Sequence, residues 1–199
     1  MPYRFHRPAT EPAVLSAPPE REAFLTAVDE DAERVMTRIA GDVAVELAVG
    51  VGRPVSYLLP VVSRLGQRRV PAAFARRAVA HRSTLAVARA EPVVPDDRPD
   101  LEVYVVGAAE QAWWKEQVRD ATERALAGPP HPGTAALDVS FAVSSLRNWT
   151  NLWKPALDAI AGPLLGAPDD DRITRLGLHR TIDDAVGYDV VVRAWWTPD

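Results

Sequence analysis

Residues 137–158 read LDVSFAVSSLRNWTNLWKPALD, and this stretch decides how the chain is expected to fold. Within 137–143 every second residue is large and apolar, a period typical of a β-strand with one buried face. Proline is tolerated only in the first turn of a helix, so Pro155 predicts a helix that begins near Thr150 or Asn151. The stretch therefore predicts a strand followed directly by a helix.

The rest of the second half extends this pattern in both directions. An alternating strand is expected over 101–106, and an amphipathic helix with apolar positions between Trp114 and Ala125 follows it. On the other side, we expect Gly162 to end the later helix. An acidic loop and a strand over 173–182 come next. The predicted order is strand, helix, strand, helix, strand.

The first half has the same predicted order. We expect a short strand from Tyr3 to His6 and then an amphipathic helix that includes Phe24 and Ile39, with Gly41 as its C-terminal cap. An alternating strand over 43–49 follows. The shared order indicates an internal repeat.

The two halves also agree residue by residue. Shifted by 94 positions, residues 45–58 match 139–152 at five of fourteen places. When the offset changes by four, His81-Arg82 coincides with His179-Arg180, and Arg77 coincides with Arg175. These matches support the repeat that the order of the elements indicates.

Length and composition are those of a globular protein. The 199 residues are 47% hydrophobic and 25% charged, which is enough for one larger domain or two small ones. Residues 93–100 have the prolines and charges of a linker. We therefore expect an α+β fold built from two repeats, 1–95 and 96–199.

Several classes of protein are excluded by composition. The chain has no cysteine, which excludes disulfides, zinc–thiolate sites and a thiol nucleophile. No apolar run reaches the roughly 18 residues that a membrane span needs. Residues 1–8 lack the apolar stretch of a signal peptide. These observations predict a cytoplasmic protein without membrane contact.

Charge is distributed unevenly along the chain. Residues 1–95 contain 13 arginines and 10 acidic residues, whereas 96–199 contain 10 basic and 17 acidic residues. No acidic residue lies between Leu47 and Ala90. Such a stretch is typical of a surface that contacts phosphates or an acidic partner, or of a solvated face that pairs with the acidic second half. The candidate nucleic-acid contacts within it are Arg53, Arg64, Arg68, Arg69, Arg76 and Arg77.

Polar residues around the later helix form the densest constellation. Asn151, Lys154 and Asp158 have the spacing of one helix face, and three aspartates follow at 169–171. In this pattern the chain resembles the RusA family of Holliday-junction resolvases, whose signature is Asp-x-Asp-Asn-x-x-Lys, an aspartate on the helix, and a pair of aspartates before a strand. The resemblance covers about 100 residues, 101–199.

The resemblance implies a magnesium-dependent nuclease of DNA recombination and repair. It assigns catalytic roles to Lys154, Asp158 and Asp170 and a nucleic-acid contact to Asn151. It implies a Mg²⁺ site formed by Asp158, Asp169, Asp170 and Asp171. Because the family acts as a homodimer, two fused repeats would form a pseudo-dimer within one chain, as a monomer or as part of a higher homo-oligomer.

The chain departs from the signature at two positions. Asn148 and Thr150 stand where the family has two metal-binding aspartates, and neutral oxygens are poor replacements for carboxylates around Mg²⁺. We therefore expect weak magnesium binding at most. The predicted function is a catalytically impaired binder of branched or structured DNA. The alternatives are an active Mg²⁺-dependent junction endonuclease and a protein-interaction or scaffold module that does not bind nucleic acid.

All six tryptophans lie in the second half of the chain. Their indole rings are able to stack on unpaired bases. Packing in the core or between the halves is the interpretation we favour, because aromatic side chains dominate such contacts.

Overall fold

The computed structural model describes residues 3–4, 13–15, 21–65, 69–79, 83–92, 98–126, 128–166 and 170–199. The first half contains β1 (Tyr3–Arg4), β2 (Ala13–Leu15), α1 (Arg21–Met36), β3 (Val43–Val49), α2 (Leu58–Leu65), β4 (Ala72–Arg77), β5 (Ser83–Arg89) and β6 (Glu91–Pro92). The second half contains β7 (Leu101–Val105), α3 (Ala112–Leu126), β8 (Ala135–Val143), α4 (Trp153–Leu165), β9 (Ile173–Ile182) and β10 (Val190–Pro198). Short 3₁₀ turns lie at Val55–Tyr57, Trp149–Asn151, Asp170–Arg172 and Asp184–Val186. The predicted α+β class is confirmed.

Within the described residues, eight strands form one mixed sheet in the order β2-β5-β3-β4-β9-β8-β10-β7. The pairs β3–β4 and β8–β9 are parallel, and every other pair in this sheet is antiparallel. Strands β4 and β9 pair at the centre and join the two halves. Each half therefore contributes four adjacent strands to one continuous sheet.

The helices pack against one face of this sheet. The registers place Val45, Ala73, Leu178 and Val139 side by side on that face, and all four are buried. Residues of α1, α2, α3 and α4 belong to the same core cluster as these strand residues. The alternation follows from this arrangement, because the large apolar side chains of β3 and β8 face the helices. The other face carries smaller or polar residues such as Ala44, Ser140 and His179, which are also buried.

The predicted offset of 94 relates equivalent elements in the middle of each half. Moved by 94 residues, the 3₁₀ turn Val55–Tyr57 coincides with Trp149–Asn151, and β3 falls within β8. The offset of 98, which aligns His81-Arg82 with His179-Arg180, does not relate equivalent elements. His179 lies inside β9, whereas β4 ends at Arg77, and His81 and Arg82 lie outside the described residues. With β3 and β8 related by 94 residues, Val45 pairs with Ala73 and Val139 with Leu178, so the registers relate β4 to β9 by 105 residues rather than by 98.

The predicted first strand is misplaced. Tyr3–Arg4 pairs only with Glu91–Pro92, in a separate two-stranded sheet, and residues 5–6 lie outside the described part of the chain. The edge position of the first half is occupied by β2, which pairs with β5. A strand of three residues is too short for its alternation to be recognised.

The helix predicted from Pro155 begins as expected, but it ends later than Gly162. The 3₁₀ turn Trp149–Asn151 leads into α4, which puts Pro155 in the first turn. The helix continues because Leu164 and Leu165 extend its buried face. It ends at Gly166, whose φ of 76° is left-handed and whose N–H donates to the Gly162 carbonyl at 2.8 Å.

The helix α1 also ends differently from the prediction. It stops at Met36, and Gly41 lies in the turn that leads to β3 rather than at the helix cap.

Among the described residues, no helix is both long enough and apolar enough to cross a membrane.

Candidate functional site

The motif loop, which we define as residues 144–152 between β8 and α4, forms a compact turn held by its own hydrogen bonds. Asn148 precedes the 3₁₀ turn Trp149–Asn151, and its Oδ1 accepts hydrogen bonds from the Thr150 backbone N–H at 3.0 Å and hydroxyl at 2.8 Å. Buried Trp149 holds the turn against Trp153, with ring centroids 4.5 Å apart. Asn148 and Thr150, which stand at two aspartate positions of the RusA signature, therefore bond to each other and cap the turn.

Lys154 and Asp158 lie together, as their spacing predicts. Lys154 forms an ion pair with Asp158 one turn along α4, and Lys115 of α3 approaches the other carboxylate oxygen at 3.5 Å. These are the only two lysines in the sequence. Asn151 is exposed in the 3₁₀ turn, ahead of the helix rather than on its face. Two ammonium groups thus balance the Asp158 carboxylate.

Asp171, in the described part of the acidic loop, lies far from the motif loop. Strand β9 begins beside Ala135 and ends beside Val143, so it spans roughly 26 Å between the two. Asp171 is at the first end, and Asn148 follows Val143 at the other. Asp169 lies outside the described residues, as does the Asp170 side chain. Asp171 and the motif loop therefore lie at opposite ends of the sheet.

The described side chains do not fit a magnesium ion at the motif loop. Asn148 and Thr150 are engaged with each other, and Asp158 is engaged with lysines. Within the ranges that the structure describes, no three His, Asp or Glu side chains are close enough to hold a metal. Magnesium favours several anionic oxygens at short, octahedral distances, and this loop offers none.

Asp171 instead lines a groove with residues of the first half. The groove encloses about 380 Å³, and we call it the arginine groove; its lining is Gly50, Val51, Gly52, Arg53, Arg77, Ala78 and Asp171. The Gly50 N–H donates to Ser83 Oγ at 3.0 Å, and the Ala78 N–H donates to the Val49 carbonyl at 2.8 Å. The loop after β3 is thereby fixed against β4 and β5.

The two arginines of this groove differ from most of the other candidates. The Arg53 guanidinium lies 4.9 Å from the centre of the Tyr57 ring, and Arg77 is exposed at the end of β4. Within the described part of the chain, the structure records no ion pair for either side chain. Both are therefore available to an anion.

The remaining candidate arginines mostly have partners within the protein. Arg64 pairs with Asp29 at 3.2 Å, and Arg76 pairs with Glu46 at 3.3 Å. Arg69 donates to the last carbonyl of α1, that of Met36 at 2.8 Å, and to the carbonyls of Ile39 at 3.0 Å and Gly41 in the turn that follows. Arg68 lies outside the described residues. Of the six predicted contacts, the groove retains Arg53 and Arg77.

The opposite end of the sheet has a cluster that the sequence pattern did not reveal. Asp189 accepts hydrogen bonds from the Tyr104 hydroxyl at 2.6 Å and the Gly107 N–H at 3.1 Å, and both lower the pKa of its carboxyl. Arg147 donates to the Gly107 carbonyl at 2.7 Å, and its guanidinium lies 4.6 Å from the Tyr188 ring centre. Burial lowers the Arg147 pKa. These partners are up to 85 residues apart in sequence, so no local motif indicates that they interact.

A buried histidine lies on the sheet face opposite the helices. His179 is fully buried, and its Nε2 is 3.2 Å from Asp138 Oδ1 on the neighbouring strand. Burial lowers the His179 pKa, although the hydrogen bond to Asp138 acts in the other direction. His179 is therefore a buried, hydrogen-bonded part of the sheet, which is the usual structural role of a histidine on a strand.

The tryptophans divide between core and surface. Trp114, Trp149 and Trp153 are among the largest fully buried side chains, which confirms packing for these three. Trp195 and Trp196 are half-buried, and Trp113 is exposed.

Comparison with known proteins gave no match: no protein-family profile, no curated protein and no solved structure is significantly similar to this chain.

Proposed function

We propose that the chain is a tandem pair of RusA-like repeats arranged as an intramolecular pseudo-dimer. Support comes from the strand order, which has equivalent strands at equal distances on either side of the central β4–β9 pair. In each half the strand between the two helices, β3 or β8, pairs in parallel with the strand that follows the second helix, β4 or β9. A two-fold arrangement of this kind is what two copies of one fold produce when they share a sheet.

The function we propose is binding of branched or structured DNA without efficient cleavage. The observation that carries it is the arginine groove, where Arg53 and Arg77 flank a fixed glycine-containing loop. Two guanidinium groups beside exposed backbone form a suitable contact for phosphate oxygens. Asp171 in the same groove reduces its positive charge, which favours a few positioned phosphate contacts over a broad basic surface.

Loss of catalysis follows from the motif loop. Phosphodiester hydrolysis by the metal route needs carboxylates that hold the ion and orient water. Asn148 and Thr150 supply no carboxylate, and Asp158 is balanced by Lys115 and Lys154. We therefore propose that binding survives and hydrolysis does not.

The double variant Arg53→Ala with Arg77→Ala tests the binding proposal. Each lost phosphate contact should lower the slope of log affinity against log salt by about 0.9, so the double variant should lose roughly two. We expect junction binding at low salt to weaken at least about tenfold. Native gels over a salt series with a labelled four-way junction measure both quantities.

A matched control removes the same charge elsewhere. Arg38 follows α1 and Arg119 lies on α3; both are exposed, and neither lines the groove. Arg38→Ala with Arg119→Ala should leave the affinity and the salt slope near those of the unmodified protein. Equal losses in the two double variants would show that the groove is not the contact surface.

A further inference from the structure

The motif end of the sheet, formed by its loops and the adjoining ends of β7, α3 and β9, exposes an unusual amount of apolar surface. Of the eight large apolar side chains exposed in the described part of the chain, six lie here, and Leu146 and Tyr188 are 96% and 68% exposed. We call this surface the loop-end patch; its members are Tyr104, Val106, Trp113, Leu146, Ile182 and Tyr188. Isolated exposed apolar residues are ordinary, but a concentration at one place marks a binding surface.

Contacts across the patch show that it is continuous. Asp189 binds the Tyr104 hydroxyl and the Gly107 N–H, and Arg147 joins Gly107 to the Tyr188 ring. The Trp113 ring lies against Gly107. On the other side, Ser145 donates to Asp184 from its N–H at 2.8 Å and from its hydroxyl at 2.9 Å. Three loops are thereby held together beneath the exposed side chains.

The charges of these loops indicate which kind of partner binds the loop-end patch. Residues 106–111, 144–148 and 183–189 contain four carboxylates, Glu110, Asp183, Asp184 and Asp189, and one guanidinium, that of Arg147. Hydrogen bonds from Ser145 lower the pKa of Asp184, so its charge persists under mildly acidic conditions. The patch therefore repels phosphates and attracts cations.

We propose that the loop-end patch docks a basic, amphipathic segment of another protein, with lysine or arginine facing the carboxylates and apolar side chains on Leu146 and Tyr188. A second copy of the chain presents the same four carboxylates, so self-association through this patch sets like charges against each other. In this arrangement the two ends of the sheet have different partners. DNA lies at the arginine groove and a protein lies at the motif end.

The probe is a fluorescently labelled helical peptide with leucine on one face and lysine on the other. Its binding to the protein is measured by fluorescence anisotropy. We expect it to bind, and the same peptide with glutamate for lysine to bind at least about tenfold more weakly. Leu146→Ser with Tyr188→Ser should weaken binding of the lysine peptide by a further factor of about ten, because two apolar contacts are lost. Glu110→Gln with Asp183→Asn should weaken it and reduce its salt dependence.

Val51→Ser with Val79→Ser is the matched control. Both valines are more than half exposed and lie outside the patch, so this variant should bind the lysine peptide as the unmodified chain does. Absence of binding, equal binding of the two peptides, or an equal loss in the two serine variants would overturn the proposal. Sedimentation of the protein alone tests the second-copy alternative, and concentration-dependent self-association that Leu146→Ser with Tyr188→Ser abolishes would also overturn it.

The DNA and peptide results are separable. The patch variants should leave junction binding unchanged, and Arg53→Ala with Arg77→Ala should leave peptide binding unchanged. Failure of one proposal is thus visible without failure of the other.

Discussion

Gly177 shows how a single position controls the buried pair in the sheet. A Cβ built there collides with Asp138 Oδ1 and comes within 3.0 Å of His179 Nε2. Only glycine leaves room for the Asp138 side chain to cross the strand to the histidine. The alternation of β9 predicts that Arg175, Gly177 and His179 share a face. It does not predict the need for a glycine, because the side chain that occupies the space, Asp138, belongs to β8.

Gly177→Ala should therefore destabilise the protein by roughly 2–3 kcal/mol, because the added methyl overpacks the site and separates a buried hydrogen-bonded pair. Urea unfolding followed by circular dichroism measures the change. Gly162→Ala is the control: nothing lies within 4 Å of a Cβ there, and the position is inside α4. It should stabilise by about 0.5–1 kcal/mol. If Gly177→Ala leaves the free energy of unfolding unchanged, the Asp138 side chain does not require the space that the missing Cβ leaves.

His179 predicts a pH dependence of stability. Its folded-state pKa lies below the ordinary value of 6.5, chiefly because of burial, so the unfolded chain takes up the proton first as the pH falls. The contribution of this group is complete above about pH 6.5 and is lost below it, with a slope of up to about 1.4 kcal/mol per pH unit. His179→Gln should flatten this slope. A slope that is unchanged in this variant would contradict the assignment.

The partners of charged residues were the least predictable part of the site. The spacing of Lys154 and Asp158 predicts one helix face, and the structure brings them together. Lys115 approaches the same carboxylate from α3, which no local pattern indicates. The acid-free stretch is similar: its sequence shows an excess of arginine, but Arg64 and Arg76 find Asp29 and Glu46 on other elements.

At the scale of elements, Arg69 acts as the cap of α1. Arg69→Ala removes hydrogen bonds to the carbonyls of Met36 and Ile39 and should cost about 1 kcal/mol of stability, with faster amide exchange between residues 37 and 41. Arg77→Ala should leave stability within about 0.5 kcal/mol, because its side chain is exposed. Urea unfolding and hydrogen exchange compare the two. If Arg69→Ala is neutral and Arg77→Ala is not, the roles assigned to these arginines are reversed.

Elements with a strong period were predicted well. The alternation over 43–49 and 137–143 gave β3 and the main part of β8, and Pro155 placed the start of α4. Short elements were not: β2 has three residues and no readable period, and the end of α4 depended on buried leucines beyond Gly162. Where burial by distant elements decides the outcome, local pattern is insufficient.

At the scale of the whole molecule, the two halves share one sheet and one core cluster across β4 and β9. We therefore expect a single cooperative unfolding transition. Tryptophan fluorescence reports only the second half, which contains all six tryptophans, whereas far-ultraviolet circular dichroism reports both halves. Their urea midpoints should coincide. Two separate midpoints would show that 1–95 and 96–199 unfold independently.

We propose that this fold binds branched DNA at the arginine groove and does not cleave it. The most direct measurement incubates a labelled four-way junction and a matched linear duplex with the protein and Mg²⁺, and divides each sample between native and denaturing gels. We expect a shifted junction on the native gel, at protein concentrations that leave the duplex free, and intact strands on the denaturing gel. Cleaved junction strands would contradict the loss of catalysis inferred from Asn148 and Thr150, and an unshifted junction at low salt would contradict DNA binding itself.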